Sequence, residues 1–197
     1  MARPQVFNQQ VVMAKAIECF WLKGYSETSL ADLLQAMSIS RSTFYNSFGD
    51  KRQLFQMCLQ AYGQQTQQLL SMTLLNDKLL ALPAIRQFLQ LVLLTPSEEL
   101  ASRGCLLVNT IAETAKVDAE LNEQAKQLML PVKLGFIHQL EKEFDHETSL
   151  RHGEWLFTQL LGWRLQTQMG MDKLILQQQI DWSLLQIEQQ LNKVVEC

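Results

Sequence analysis

Apolar side chains recur along this chain at intervals of three and four residues, and no segment alternates cleanly between apolar and polar positions. Spacing of three and four places apolar residues on one face of an α-helix, whereas a half-buried strand requires alternation. We therefore predict an all-α protein in which each helix carries an apolar stripe. In the first segment the stripe consists of Met13, Ile17, Phe20 and Trp21.

Three helices are predicted in the first fifty residues, and the second and third of them are short. Thr28 or Ser29 caps the second helix, and Asp32 follows Ser29 at the position of a capping-box acid. Phe44 and Phe48 stand four residues apart and form the buried side of the third helix. The three helices are placed at about 8–24, 29–37 and 41–48, with a turn at 38–40.

The remainder of the chain is predicted to be helical as well. Asp50 and Gln53 cap a long fourth helix at about 51–75. Pro131 is expected to kink a later helix, because proline removes a backbone donor. The later helices are placed at about 83–95, 102–116, 118–144, 147–168 and 172–193.

The third helix has the properties that the major groove of DNA requires, namely an apolar back and a small, polar and basic front. Arg41 can pair with a guanine edge and Asn46 with adenine, while Lys51 is placed to reach a phosphate. With the two helices before it, this segment predicts a helix-turn-helix. The expected DNA contacts are Thr28, Ser29, Arg41, Ser42, Thr43, Tyr45, Asn46, Ser47 and Lys51.

The distribution of charge is compatible with a DNA-binding end on an acidic body. Residues 1–60 hold six basic and four acidic side chains, and the remaining residues hold eleven and sixteen, so the net charge of −3 divides into +2 and −5. Apolar residues make up 47% of the chain, which excludes a disordered protein. Neither a membrane span nor a signal peptide is apparent, so we expect a cytoplasmic location.

Other classes of protein find little support in the sequence. We see no nucleophile–base pair, no phosphate-binding loop and no cysteine or histidine cluster with metal-ligand spacing, so no enzyme, metal site or cofactor is expected. A helical adaptor with a vestigial helix-turn-helix would carry acidic or bulky residues on the exposed face of 41–47. None stands there.

The motifs of residues 24–51 identify a family. They comprise a glycine-aromatic pair, a Thr-Ser pair, a Ser-Ile-Ser turn and a Tyr-x-x-Phe-x-x-Lys ending, at Gly24-Tyr25, Thr28-Ser29, 38–40 and 45–51. This pattern resembles the DNA-binding domain of the tetracycline-repressor (TetR/AcrR) family over about fifty residues. Two positions depart from it, because many members carry glycine at Ser38 and some carry a basic DNA contact at Ala31.

The resemblance implies a sequence-specific transcriptional regulator, a repressor by family habit, which a small-molecule effector releases from double-stranded operator DNA. It also implies a homodimer joined through the last two helices and a ligand pocket within the middle helices. We accordingly expect a DNA-binding domain at 1–50 and a larger ligand-binding and dimerisation domain at 51–197, connected by the fourth helix.

The last two helices are apolar on more than one face, which a monomer could not easily cover. Gly162 would allow close approach of a partner helix. Trp155, Trp163 and Trp182 are assigned with equal weight to such an interface or simply to the core. The predicted interface consists of Leu156, Leu160, Trp163, Ile180, Leu184 and Ile187.

The pocket is less well defined by the sequence than the DNA-binding segment. Cys105 lies near a predicted helix start and two residues from Arg103, surroundings that favour a reactive thiol. A redox or electrophile sensor is one interpretation, and a small residue buried in the core is the one we favour. The predicted pocket consists of Phe88, Leu91, Val92, Cys105, Phe136 and Trp155.

Overall fold

The computed structural model describes residues 8–195, which are helical with short connecting loops and contain no strand. The all-α prediction is confirmed. A π-helical turn, Gln90–Leu94, continues the fifth helix. The helices are α1 (Gln9–Lys23), α2 (Leu30–Met37), α3 (Arg41–Phe48), α4 (Lys51–Met72), α5 (Ala81–Leu89), α6 (Glu98–Ser102), α7 (Leu106–Thr114), α8 (Ala119–Leu140), α9 (His146–Gln168) and α10 (Lys173–Val195).

The helix starts in the first part of the chain follow from local capping. The Asn8 side chain accepts hydrogen bonds from the backbone N–H groups at the start of α1. Ser29 and Asp32 form a reciprocal capping box at α2, and Asp50 and Gln53 form another at α4. The caps predicted for the second and fourth helices are confirmed, with Ser29 as the cap of α2.

The second half differs from the prediction around Gly104, whereas the kink expected at Pro131 stays a prediction. The helix expected at 102–116 begins later, at Leu106, because Gly104 adopts a φ of 69°, and a short α6 that was not predicted precedes this glycine. Helix α8 runs through Pro131 as a single element. The buried neighbours Met129 and Val132 hold this part of α8 against the core, which compensates for the backbone hydrogen bond that proline cannot donate.

Two apolar clusters make up the core. The first joins α1, α2 and α3 to the beginning of α4 and to α7 and α8, so that Phe20 and Phe44 share one cluster with Leu107 and Leu121. The second fills the space among α5, α8, α9 and α10. Through the first cluster, the three N-terminal helices pack directly onto the body of the protein.

None of the described helices is long and apolar enough to span a membrane.

The turn between α2 and α3 depends on a left-handed residue. Ser38 has a φ of 54° and a ψ of 42°, and it is the one described residue other than glycine with a positive φ. The Ile39 N–H donates to the Leu34 carbonyl at 3.4 Å, which closes the end of α2. The geometry of this turn fixes the angle at which α3 leaves α2.

We predict that Ser38→Gly stabilises the protein by about 0.5–1 kcal/mol, because glycine adopts the left-handed conformation without steric cost. Chemical denaturation followed by circular dichroism measures the change. Ser47→Gly is the matched control, since Ser47 lies inside α3 at an ordinary helical φ. It should lose about 0.5–1 kcal/mol instead. Destabilisation by Ser38→Gly would mean that the Ser38 side chain, not its backbone, maintains the turn.

Candidate nucleic-acid interface

Helix α3 has one buried face and one face open to solvent. Phe44 and Phe48 are 0% and 2% exposed, and both belong to the first apolar cluster. The opposite face carries Arg41, Ser42, Tyr45, Asn46 and Ser47, all of them exposed. This exposed face is polar and basic and contains no acidic residue.

The first turn of α3 is held by hydroxyl groups. The Ser40 Oγ accepts a hydrogen bond from the Thr43 N–H at 3.1 Å and lies 2.9 Å from Ser42 Oγ and 2.8 Å from Thr43 Oγ1. Because these hydroxyls contact one another, the N-terminus of α3 is ordered before any ligand arrives. Arg41 extends from this turn with an exposed side chain.

The two residues predicted to contact DNA before α2 have different surroundings. Ser29 is exposed and caps α2. Thr28 is fully buried, and its hydroxyl donates to the Gly24 carbonyl at 2.5 Å. The Thr28 side chain therefore shapes the loop between α1 and α2 and presents no group to solvent, which removes it from the predicted contacts. Sequence alone could not distinguish the two, because both are common capping residues.

Lys51 is partly engaged within the protein. Its Nζ donates to the Ser26 carbonyl at 3.2 Å and stands 4.7 Å from the centre of the Tyr25 ring. An ammonium group has three donors, so two remain for an external partner. Lys51 thus connects the start of α4 to the loop between α1 and α2, and it remains available to an anion near α3.

A carboxylate from the body of the protein holds the same loop. Glu113, near the end of α7, accepts hydrogen bonds from the Tyr25 N–H at 2.9 Å and the Ser26 N–H at 2.6 Å. Burial by itself would raise the pKa of Glu113, but these hydrogen bonds and the charge of Lys51 outweigh it and lower the pKa from its ordinary value of 4.5. No sequence pattern pointed to Glu113, because its partners lie 87 and 88 positions away.

A second ion cluster fixes the start of α4. The Arg52 guanidinium contacts both Asp118 and Glu120 at 2.8 Å, at the beginning of α8. The hydrogen bond from Arg52 is the main reason that the pKa of Asp118 falls to about 2. Helices α4, α7 and α8 therefore all attach to the segment that carries α3.

A cavity of about 230 Å³ lies among α1, α4, α5, α7, α8 and α9. Of the six residues predicted for a pocket, Phe88, Val92 and Cys105 line it. Cys105 is 7% exposed, and its sulfur accepts a long hydrogen bond, 3.8 Å, from the Tyr62 hydroxyl. The walls of the cavity also contain residues that the sequence did not suggest, among them Trp21, Tyr62, Met129, Leu161 and Arg164.

The other three predicted pocket residues lie outside this cavity. Phe136 is fully buried behind it, in edge contact with Phe88 at 5.5 Å between ring centres. Leu91 is 37% exposed, and Trp155 packs against the second apolar cluster. Helical spacing in the sequence assigns all three residues to apolar stripes, but it could not show which stripe faces the cavity.

The residues predicted for a dimer interface all lie inside the protomer. Each of them is 3% exposed or less, and each belongs to the second apolar cluster, so they have almost no surface to offer to a partner. The predicted stripe is therefore the inward face of α9 and α10. These residues are Leu156, Leu160, Trp163, Ile180, Leu184 and Ile187.

The outward face of the same two helices is also apolar. Trp182 is 60% exposed, Leu165 58% and Leu174 67%, and Ile175 and Leu185 lie between 45% and 49%. A Cβ placed on Gly162 would meet no atom within 4 Å, so this glycine faces open space on α9. Exposed apolar side chains grouped on two long helices are typical of a surface that binds another protein.

Comparison with known proteins places residues 12–58 in a family model described as bacterial regulatory proteins, tetR family. The HTH-type transcriptional repressor ComR of Escherichia coli (strain K12) is 42% identical over 60 residues, which are 30% of this chain and 29% of ComR. The uncharacterized HTH-type transcriptional regulator YezE of Bacillus subtilis (strain 168) is 31% identical over 132 residues, which are 65% of this chain and 68% of YezE.

The fold is also that of solved structures. The TetR family transcriptional regulator CifR, in a cysteine mutant complexed with 26-base-pair operator DNA, matches with a TM-score of 0.70 and 21% identity. The match covers 92% of this chain and 98% of CifR. At 21% identity, this similarity shows that the two proteins share the arrangement of their helices.

The Glu113 contact predicts a dependence of stability on pH. Because the pKa of Glu113 is lower in the folded protein, the carboxylate stabilises the fold above pH 4.5 and this stabilisation is lost as the pH falls through the folded value. Glu113→Gln should lower the free energy of unfolding by about 1–3 kcal/mol at pH 7. The difference between wild type and variant should shrink below about pH 4.5.

Thermal unfolding from pH 7 to pH 4 measures this effect. Glu27→Gln is the matched control, because Glu27 is an exposed glutamate in the same loop. It removes the same charge and should leave stability nearly unchanged at every pH. A Glu113→Gln deficit that stayed constant down to pH 4 would show that the carboxylate charge is not what holds the loop.

Proposed function

The chain belongs to the TetR family of bacterial regulatory proteins, whose members are DNA-binding transcriptional regulators, and we propose that it is a repressor released from its operator by a small molecule. The observation that supports DNA binding most directly is the exposed, polar and basic face of α3 above its buried phenylalanines. ComR, a relative in this segment, is a repressor. A regulator of this kind would act in the cytoplasm.

We assign DNA binding to residues 1–50 and ligand binding and dimerisation to residues 51–197. In this assignment α3 enters the major groove, where Arg41 and Asn46 meet base edges. Ser29 and Lys51 flank the groove and face the phosphates. Ser42, Tyr45 and Ser47 on the exposed face complete the contacts, together with the half-buried Thr43 beside them.

Helix α7 connects the cavity to the loop that precedes α2. Cys105 and Val108 at its beginning line the cavity, and Glu113 near its end holds the backbone of Tyr25 and Ser26. A ligand that displaces the beginning of α7 would therefore move the loop that precedes α2. Helix α3 and Tyr25 of this loop both pack in the first apolar cluster. A shift of the loop would therefore change the spacing of the two α3 helices in a dimer.

We also propose that the protein is a homodimer joined by the outward faces of α9 and α10. Burying large exposed side chains such as Trp182 and Leu174 removes apolar surface from water. Gly162, which faces open space, would let a partner helix approach closely. Two-fold symmetry would then require a roughly palindromic operator whose half-site centres are about one helical turn, ~34–36 Å, or a small multiple apart.

Two substitutions separate base recognition from phosphate binding. Arg41→Ala should cost about 1–3 kcal/mol and weaken the preference at one base position in each half-site. Lys51→Ala should weaken binding to all sequences alike and make the slope of log affinity against log salt shallower by about 0.9 for each lost contact, two per dimer. Affinities are measured by fluorescence anisotropy at several salt concentrations, on a duplex selected by the wild-type protein and on a scrambled one.

Lys78→Ala is the control, because it removes one exposed positive charge in the loop before α5 and should change neither property. Since Lys51 also contacts Ser26, the unfolding midpoint of each variant is measured in parallel. A change of base preference in Lys51→Ala together with a pure salt effect in Arg41→Ala would reverse our placement of α3 in the groove.

If the outward faces of α9 and α10 form the dimer surface, charges introduced there should give a folded monomer. Trp182→Asp combined with Leu185→Asp should dissociate the protein at micromolar concentration, because both charges would be buried against a partner. Helicity should be retained, since both side chains are exposed in the protomer. Operator affinity should fall, because each monomer contacts one half-site. Light scattering gives the mass, and circular dichroism gives the helicity.

Aspartates at the buried Leu160 and Leu184 should unfold the protomer instead, and Val117→Asp, at a residue 75% exposed between α7 and α8, should keep the dimer. A wild-type protein that is monomeric at micromolar concentration, or a Trp182→Asp/Leu185→Asp variant that remains dimeric, contradicts the proposed surface.

A further inference from the structure

The cavity is apolar at its floor and polar on its solvent side. Phe88, Val132 and Leu160, which form part of the floor, are at most 3% exposed. Gln65 is exposed and Arg164 is partly buried, so the polar groups lie toward the mouth. A ligand that fits this arrangement has an apolar body and one polar group that stays near solvent.

Arg164 is the one charged residue among the described residues that line this cavity. Its backbone carbonyl accepts from the Thr167 hydroxyl, but within the described part of the chain its guanidinium has no carboxylate partner and no hydrogen bond. Arg52, Arg86 and Arg103, by contrast, each pair with carboxylates. Because no carboxylate of the described residues pairs with this guanidinium, its charge and its N–H donors remain available to an anion that enters the cavity.

A second donor lies beside Arg164. Burial raises the pKa of the Tyr62 hydroxyl, Cys105 adds to the rise and the nearby Arg164 opposes it, so the hydroxyl remains protonated at neutral pH. Its one acceptor among the described residues is the Cys105 sulfur, which is a weak one. The polar side of the cavity is therefore rich in donors, and no carboxylate competes for them among the described lining residues.

We infer that the cavity binds a small organic acid as its anion, with the carboxylate on Arg164 and the apolar body against Phe88, Val132 and Leu160. The planar guanidinium offers paired N–H donors that match a carboxylate, and the Tyr62 hydroxyl supplies a further donor. The volume of about 230 Å³ is below the ~300–1,000 Å³ of sites for drug-sized ligands, which favours an acid of one or two rings.

The inference names the ligand class for the proposed regulator, and in that respect it rests on the proposed function. Binding itself can be measured without DNA. The probes are 2-naphthoate and 2-naphthamide, which share one apolar body and differ in charge. Isothermal titration with the full-length protein should show 2-naphthoate binding about tenfold or more tightly than the amide, as expected for a charge-assisted pair.

Variants of two arginines on α9 locate the charge that makes this difference. Arg164→Met should bring the affinity for 2-naphthoate down to that for the amide, and the amide should bind within about twofold of its wild-type affinity. Arg164→Lys should keep part of the preference for 2-naphthoate, because lysine retains the positive charge but lacks the paired N–H donors of the guanidinium. Arg151→Met is the matched control, since Arg151 is exposed near the start of α9, and it should keep the full preference.

Several results would overturn the inference. Equal affinity of the wild-type protein for both probes, absence of binding by either at millimolar concentration, or an undiminished preference in a folded Arg164→Met protein would each do so. Operator binding without any ligand is measured on the same samples. If it persists while the probes fail, the anion site is refuted and the DNA-binding function stands. If operator binding is absent while the probes bind as expected, the DNA-binding function is refuted and the anion site stands.

Discussion

Helix α3 has eight residues, and a helix of that length is not stable by itself in water. Its existence depends on the burial of Phe44 and Phe48 in an apolar cluster that also contains side chains of α1, α4, α7 and α8. The same burial determines which face of α3 is left for solvent. Removal of the two aromatic rings from water therefore both stabilises the helix and orients Arg41 and Asn46 outward.

Because the cluster extends into α7 and α8, the segment that carries α3 is continuous with the rest of the protein. Arg52 links the start of α4 to Asp118 and Glu120, and Glu113 holds the loop before α2. These polar contacts are directional, whereas the apolar cluster is not. The position of α3 relative to the body is thus defined by a few hydrogen bonds at the margin of a shared core.

The cavity adjoins both of these features. Trp21 and Tyr62 stand in edge contact on its wall, at 5.4 Å between ring centres, and they come from α1 and α4. Cys105 and Val108 bring α7 to the same space. The walls from α1, α4 and α7 belong to helices that also support α3, so a ligand in the cavity would contact helices on which the orientation of α3 depends. Among the described residues that line the cavity, Arg164 on α9 carries the one charge, and the proposed anion would bind to it.

The sequence by itself determined the features that depend on neighbours within about four positions. The capping boxes at Ser29 and Asp50, the short helix α3 and its exposed polar face follow from local hydrogen bonds and from the period of the helix. The family resemblance likewise lies within one continuous segment. These features can be predicted from the residues of their own segment, although the stability of α3 depends on the cluster that buries Phe44 and Phe48.

Only the tertiary structure decided which of several apolar faces is buried. Helices α9 and α10 carry an apolar stripe on each side, and periodicity treats Leu160 and Leu165 alike, yet one is 3% exposed and the other 58%. The partners of Lys51 and Glu113 lie 25 or more positions away in sequence. A spacing rule describes one helix at a time, whereas burial and long-range hydrogen bonds depend on what the other helices place beside it.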